Sequence, residues 1–408
     1  MKLGSHARSP QSPTDTHSGQ PAVDDRSRAE EARAATHGSR ASTPDVRESG
    51  IVPARSRGAH ETLTPAVTLR AGRDGVSGFG AAVAGAGDIL LIGARHEAQQ
   101  PFVTLYRVTH EGVVRERSMR GAPGHGGPSL ATDGQRIAVG QPAPEGGLGF
   151  VSVYLRNAGE LTLETTLEAK PDEAGAASFG QRLALAGDLL VLGQPASVRV
   201  YRHSAVGWLS AGPLRPSLPY EWNPALGHSV AVLGGRVLVG NPVEIDGHRA
   251  GPGRVFVYRQ ADDHMELDSE LTGDGIEGGR EDSPRAGFGA CIQVSDNFVL
   301  VSAPYELSAS GSSLSRVYLF RSQAGVLSRF ASVDVPSCQG GACLIGERLF
   351  VLGDALYVYA RAGNQFVPLG SYAVSAASQT TLASCGALLA IASSQGAGQV
   401  ALHFAEQA

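Results

Sequence analysis

The sequence predicts an all-β protein: a seven-bladed β-propeller of four-stranded antiparallel blades, closed by an N-terminal strand pairing into the last blade. Three observations support this prediction. A unit of about 50 residues occurs seven times after residue 60. Each unit contains short strand-like segments separated by turn residues. The fourth segment of the last unit is missing at the C-terminus and is found at the other end of the repeat region.

The first two strands of each unit form a hairpin, as in FGQRLALAGDLLVLGQP at 179–195. A Gly stands at the turn in five units, where a positive φ is needed, and Asp296 and Glu347 replace it in the other two. The seven predicted hairpins, which form the inner strands of the blades, lie near 79–93, 128–140, 179–193, 226–240, 288–302, 341–353 and 381–392.

The third strand of each unit alternates β-branched and aromatic residues, as in VTLY of the first unit and VALH of the last. The fourth strand carries two apolar anchors six residues apart, such as Val113 and Met119. Because six is an even number, we expect both anchors of a pair on the same side of the strand. The last unit lacks such a pair, and Leu63 and Leu69 supply it from the N-terminal side.

The stretch LTPAVTL at 63–69 is therefore predicted to be the outer strand of the last blade, which removes two free sheet edges. The propeller then spans residues 61–408. Residues 1–60 are rich in Ser, Pro, Arg and Ala and poor in large apolar side chains, so they cannot bury enough surface to offset the entropy of ordering. We expect a disordered tail there.

Composition excludes several classes of function. The net charge of −5 and the charged fraction of 18% give no electrostatic reason to expect a nucleic acid partner. No apolar run long enough to cross a membrane is present, and Met1–His60 shows no signal peptide pattern. The four cysteines form no C-x-x-C pair and are expected to be small core residues. We expect a monomer.

The units resemble the FG-GAP repeat, which forms the propeller of integrin α chains and of many bacterial surface proteins. The resemblance rests on Phe-Gly at the start of the hairpin and a Gly-Ala-Pro-like end. The Phe-Gly pairs are Phe79-Gly80, Phe179-Gly180 and Phe288-Gly289, and the ends are Gly93-Ala94, Gly140-Gln141-Pro142, Gly193-Gln194-Pro195, Gly240-Asn241-Pro242 and Ser302-Ala303-Pro304. The resemblance implies a propeller that binds other molecules, in an extracytoplasmic or cell-surface location.

Many FG-GAP repeats contain a calcium loop of the D-x-D-x-D-G type. The corresponding turns here hold at most one carboxylate each, whereas calcium takes six to eight oxygen ligands. We therefore expect no metal in the blades and no cofactor.

Four long connections cluster around the fourth and fifth blades, at 217–225, 243–253, 274–287 and 305–315. They share the face that carries the loops between second and third strands, where recognition is expected. The partner there is predicted to be a protein or a carbohydrate. The candidate partner-binding residues are Tyr220, Trp222, Asp246, Arg249, Arg280, Glu281, Asp282, Tyr305 and Glu306.

Two alternatives stay open. A propeller hydrolase or lyase could place its site at the mouth of the axis, with Glu281 and Asp282 as carboxylates. His228 and Ser229 are adjacent on one strand, point to opposite faces, and cannot form a base–nucleophile pair. No catalytic residue is therefore assigned, and we expect a protein that is not an enzyme. An intracellular scaffold is the second alternative, favoured by the missing signal peptide.

Overall fold

A computed structural model of the chain was analysed. It describes residues 47–49, 64–71, 76–96, 101–109, 111–122, 125–157, 159–171, 175–214, 225–242, 253–262, 264–274, 287–307, 313–338, 341–374, 380–395 and 397–405. All of these residues belong to one compact unit that begins at Pro44. Apart from one turn of 3-10 helix at Ala176–Ser178, the regular structure in these ranges is β-strand.

The strands form seven antiparallel sheets, each containing a run of four strands, which confirms the predicted propeller. The N-terminal strands are β1 (Arg47–Ser49) and β2 (Val67–Arg70). Blades 1 to 3 contain β3 (Val76–Ala86), β4 (Ile89–His96), β5 (Pro101–Thr109) and β6 (Gly112–Arg120); β7 (Ser129–Thr132), β8 (Arg136–Gln141), β9 (Phe150–Asn157) and β10 (Glu160–Glu168); and β11 (Arg182–Ala186), β12 (Leu189–Gln194), β13 (Ser197–Ser204) and β14 (Gly207–Leu214).

Blades 4 to 7 continue the pattern. They contain β15 (Ser229–Leu233), β16 (Arg236–Asn241), β17 (Arg254–Ala261) and β18 (His264–Leu271); β19 (Cys291–Ser295), β20 (Phe298–Leu307), β21 (Ser313–Gln323) and β22 (Val326–Val335); β23 (Ala342–Ile345), β24 (Arg348–Leu352), β25 (Ala355–Ala362) and β26 (Gln365–Ala373); and β27 (Thr380–Cys385), β28 (Leu388–Ser393) and β29 (Gln399–Phe404), completed by β2.

The first strands of the seven blades lie next to the axis. Each contacts the first strand of the following blade, and β27 contacts β3, so the ring is closed. The small residues that the sequence predicts at this position line the axial channel, namely Ala84, Ala131, Ala184, Ala231 and Ala383. Small side chains suit this position because the blades converge there.

The last blade draws its fourth strand from the N-terminal side of the repeats. β2 pairs antiparallel with β29, with Val67 opposite Leu402 and Leu69 opposite Val400. β1 then pairs with the outer edge of β2. The three residues of β1 are the part of residues 1–60 that the structure describes, and the predicted disordered tail otherwise lies outside the described residues.

The paired anchors in the fourth strands of blades 1 to 6 do not face the same side, so that prediction is wrong for them, and Leu63 of the last pair lies outside the described residues. In blades 1 to 6 the fourth strand contains one extra residue between the anchors, which forms a β-bulge. The bulge reverses the alternation of side chains. Val113 consequently packs between blades 7 and 1, whereas Met119 packs between blades 1 and 2.

Seven hydrophobic clusters fill the seven interfaces between neighbouring blades. Each cluster combines the two central strands of one blade with those of the next, and the fourth-strand anchors close it toward the solvent. The four cysteines are free thiols, and Cys338, Cys343 and Cys385 are buried, as expected for packing residues.

Each of the three Phe-Gly pairs lies at the interface with the preceding blade. Phe179 is fully buried between blades 2 and 3, and Gly180 has a φ of 79°. A Cβ on Gly180 would lie 2.8 Å from Val151 Cγ2 and 3.0 Å from the Phe150 carbonyl oxygen, so the backbones approach closely here. A Cβ on Gly140, in the Gly-Gln-Pro end of blade 2, would collide with the Gly180 carbonyl. The two halves of the repeat motif thus pack against each other across the interface.

The hairpin turns differ from expectation at one position. Gly346, with a φ of 58°, occupies the left-handed turn position of blade 6, not Glu347. Blade 5 has Asp296 there, with a φ of 50°. Asp tolerates this conformation better than most residues with a side chain, since its short polar group can bond locally.

Candidate functional site

The candidate site lies on the face that carries the loops between second and third strands, at the junction of blades 4 and 5. Seven of the nine predicted residues lie outside the described residues: Tyr220, Trp222, Asp246, Arg249, Arg280, Glu281 and Asp282. The structure places the other two, Tyr305 and Glu306, at the end of β20. Tyr305 is 49% exposed, whereas Glu306 is 3% exposed.

Glu306 is a buried member of a polar cluster. Its Oε1 atom accepts a hydrogen bond of 2.5 Å from the Tyr318 hydroxyl, and Arg316 Nη1 lies 3.4 Å from the same oxygen. Its Oε2 atom is buried and has no hydrogen-bond partner among the described residues. Tyr318 and Arg316 lie on β21, so the hairpin of β20 and β21 positions all three groups.

Asp274 joins this cluster from blade 4. It begins the long connection to blade 5, and its backbone N–H donates to the Tyr318 hydroxyl oxygen at 3.0 Å. Its carboxylate accepts hydrogen bonds from Arg316 Nη1 at 2.9 Å and from both terminal nitrogens of Arg329, of which Nη2 lies at 2.7 Å. A bidentate pair of this kind fixes both distance and orientation.

The two arginines also contact the ring of Tyr318. The guanidinium carbon of Arg329 lies 4.6 Å from the ring centroid, and that of Arg316 lies 5.8 Å away. Arg316 additionally pairs with Asp334 on β22. The cluster therefore holds three carboxylates and two guanidinium groups around one buried aromatic ring. We call these six residues the junction cluster: Asp274, Glu306, Arg316, Tyr318, Arg329 and Asp334.

Burial and pairing shift the pKa values of the carboxylates in opposite directions. Burial raises the pKa of Glu306, against the hydrogen bond from Tyr318 and the charge of Arg316. The hydrogen bond from Arg329 lowers the pKa of Asp274. Burial also raises the pKa of Tyr318, which therefore stays a neutral hydroxyl donor.

The cluster fastens two long connections to the rigid blades. Asp274 stands at the start of the segment 274–287, and Glu306 stands at the start of the loop between β20 and β21. Because the side chains bond across strands, both loop bases are fixed relative to blade 5. This arrangement can orient the two loops that begin there.

Sequence reasoning singled out Glu306 but missed its partners. The contact between Asp274 and Arg329 spans 55 positions, and that between Asp274 and Tyr318 spans 44. Arg316 and Tyr318 belong to an ordinary strand pattern, so nothing in the sequence separates them from core and surface residues. Asp274 was the detectable member, because it opens one of the four long connections.

The axial channel is a second concave feature, with a volume of about 230 Å³. Most of its lining side chains are apolar, and Gln293 stands where five blades have Ala. Gln293 Nε2 donates to the Leu382 carbonyl of blade 7 at 3.3 Å, and its buried Oε1 has no partner in the described part of the chain. The hypothesis of an enzyme at the axial mouth names Glu281 and Asp282, which lie outside the described residues.

Within the described ranges, no group of three or more His, Cys, Asp or Glu residues could hold a metal ion. No helix in those ranges is long and apolar enough to span a membrane.

Some solved structures are similar to this chain in fold, although no protein-family model and no curated protein sequence match it. A chain from the mitotic checkpoint complex superposes with a TM-score of 0.55 at 13% identity, covering 87% of this chain and 99% of that one. A Bacteroides uniformis protein assigned as a 6-phosphogluconolactonase gives a TM-score of 0.48 at 11% identity, covering 76% of this chain and 95% of that one. At such identities the likeness shows the propeller fold alone. The FG-GAP resemblance rests on the residues quoted above.

Proposed function

We propose that this protein is a non-enzymatic binding propeller whose loop face at blades 4 and 5 docks a protein or carbohydrate partner. The observation that carries the proposal is the junction cluster, which fixes the bases of two long loops to the blades. Tyr305 stands beside the cluster and exposes half of its side chain. Exposed aromatic and arginine residues on a rigid base are typical of binding hot spots. A location at the cell surface follows from the FG-GAP resemblance.

The test uses the full chain and three single variants of the loop face: Tyr305→Ala, Trp222→Ala and Arg280→Ala. The matched control is Val326→Ala, because Val326 is 66% exposed at the turn between β22 and the preceding strand, on the opposite face. Binding is measured on a glycan array and by cross-linking to surface proteins of the source cells. Circular dichroism melting verifies that every variant is folded.

We expect at least one of the three variants to weaken binding of a specific partner about tenfold or more, while Val326→Ala binds like the parent chain. An identical partner set and identical affinities for all four variants would contradict the proposal. Turnover in a screen of glycans and esters that disappears in Glu281→Gln or Asp282→Asn would favour the enzyme hypothesis instead.

A further inference from the structure

A cleft of about 280 Å³ lies between blades 6 and 7, away from the junction cluster. Blade 7 contributes alternate residues of β2 and β29, including Arg70 and His403, and of β28. Blade 6 contributes Leu356 and the end of β26, including Tyr372. At the interfaces between other neighbouring blades, side chains fill the region that this cleft occupies.

The sequence explains why this interface is open. The second and fourth residues of the third-strand motif face the preceding blade, as Tyr106 does between blades 7 and 1. In blades 4, 5 and 6 both positions are aromatic: Phe256 and Tyr258, Tyr318 and Phe320, Tyr357 and Tyr359. Blade 7 has Ala401 and His403 there, so two large rings are replaced by a methyl group and an imidazole.

His403 lines this cleft and carries an unsatisfied polar atom. The residue is 5% exposed, and its Nδ1 is buried without a hydrogen-bond partner among the described residues. The ring also bonds the backbone of Thr64, and burial lowers the pKa of His403 to about 4. The hydrogen bond to Thr64 raises the pKa and so opposes the effect of burial, which means that the ring donates an N–H to the Thr64 carbonyl. Because Nδ1 has no partner among the described residues, the donor is Nε2. In the resulting neutral tautomer Nδ1 is a hydrogen-bond acceptor.

The other end of the cleft is cationic. Arg70 on β2 lies opposite Gln399 on β29. Gln399 precedes His403 by four residues on the same strand. Four residues of strand span about 13 Å. Among the described lining residues, Arg70 carries the formal positive charge and none is a carboxylate. Leu356 and Ile391 supply apolar surface between the two ends.

We propose that the cleft between blades 6 and 7 binds a small carboxylate that has an apolar or aromatic body and a hydroxyl or N–H donor at its far end. The carboxylate pairs with Arg70 at the cationic end. The apolar body packs on Leu356 and Ile391. The distal donor bonds to His403 Nδ1, a buried acceptor that has no partner among the described residues.

The test measures binding of three probes to the full chain by isothermal titration calorimetry. The probe 3-(4-hydroxyphenyl)propanoate carries both the carboxylate and the distal donor. The analogue 3-phenylpropanoate lacks the donor. The methyl ester of 3-(4-hydroxyphenyl)propanoate keeps the donor and lacks the charge. The variants are His403→Phe, which restores an aromatic residue as in the other six blades, and Arg70→Gln. Arg120→Gln is the matched control, because Arg120 ends the fourth strand of blade 1 as Arg70 ends β2.

We expect the parent chain to bind the hydroxylated carboxylate saturably, and to bind each of the two analogues about tenfold more weakly. Arg70→Gln and His403→Phe should each reduce affinity by a similar factor, and Arg120→Gln should leave it unchanged. The proposal is overturned if the parent chain binds no probe saturably, if both analogues bind as well as the hydroxylated acid, or if Arg70→Gln and Arg120→Gln behave alike. The ligand series uses the parent chain alone, so it decides the matter even if a variant misfolds.

Discussion

Replacement of Leu69 by Ala tests whether the N-terminal strand closes the ring. Leu69 is fully buried between blades 7 and 1, and it pairs with Val400 on β29. Truncation of a buried Leu to Ala removes its transfer free energy and leaves a cavity, which together cost about 3 kcal/mol. Since about 1.4 kcal/mol corresponds to a factor of ten, local opening of β2 should become about a hundredfold more frequent.

Hydrogen exchange measured by mass spectrometry reports this opening directly. A peptide that covers 399–404 contains the amides of β29, and those that bond to β2 and not to β28 lose protection when β2 detaches. We expect faster exchange of this peptide in Leu69→Ala, while peptides from β11 and β12 in blade 3 keep the parent rate.

Leu209→Ala is the control, because Leu209 lies on the fourth strand of blade 3 and is 52% exposed. Its effect should stay within about 0.5 kcal/mol. Equal exchange of the β29 peptide in Leu69→Ala, Leu209→Ala and the parent chain would refute closure by β2, since Leu69 would then lie outside the sheet.

Three further predictions concern stability and are measured by urea unfolding. Because burial raises the pKa of Glu306, the free energy of unfolding of the parent chain should fall as the pH rises from about 4 through that raised pKa. Glu306→Gln should remove this fall, and an unchanged pH dependence in the variant would contradict the prediction. Burial raises the pKa of Glu164, but the 2.9 Å hydrogen bond that its carboxylate accepts from Arg136 helps to outweigh burial, so the pKa is lowered. Glu164→Gln should lower the free energy of unfolding by about 1–2 kcal/mol at pH 7. The parent chain should lose stability below about pH 4, and the variant should lose less. Gly180→Ala should cost about 3 kcal/mol and Gly187→Ala about 1 kcal/mol, because both have a positive φ but only Gly180 lacks space for a Cβ; equal costs would show that the close approach is unimportant.

The sequence was sufficient for the blade count and for the seven inner hairpins. Repetition makes this possible, because each unit reports the same alternation of apolar residues and the same turn, and noise in one copy is averaged by the others. The anchors in the fourth strands of blades 1 to 6 do pack in or against the hydrophobic clusters between blades. The predicted orientation of these side chains was wrong, because a single extra residue reverses the alternation of faces along the strand. Nothing in the spacing of Val113 and Met119 reveals this bulge.

The candidate site could be predicted only in part. The long connections and Glu306 stand out as departures from the repeat, so the sequence indicates which loops differ between blades. The partners of Glu306 are Tyr318 and Arg316, which lie on the third strand, an element that every blade contains. Asp274, at the end of blade 4, bonds to Tyr318 and Arg316 and not to Glu306. Their roles depend on proximity, which the repeat pattern does not encode.

What the sequence by itself determined is the number of blades, the order of strands and the position of the small residues near the axis, because these follow from local periodicity repeated seven times. Only the tertiary structure decided which side chains meet across blades: the ion pairs around Tyr318, the switch of face at each bulge, and the gap left by Ala401 and His403. The physical reason is that the ring brings together groups far apart in the sequence, as in the 44-residue separation of Asp274 and Tyr318, while each bulge depends on one extra residue that the repeat spacing does not reveal.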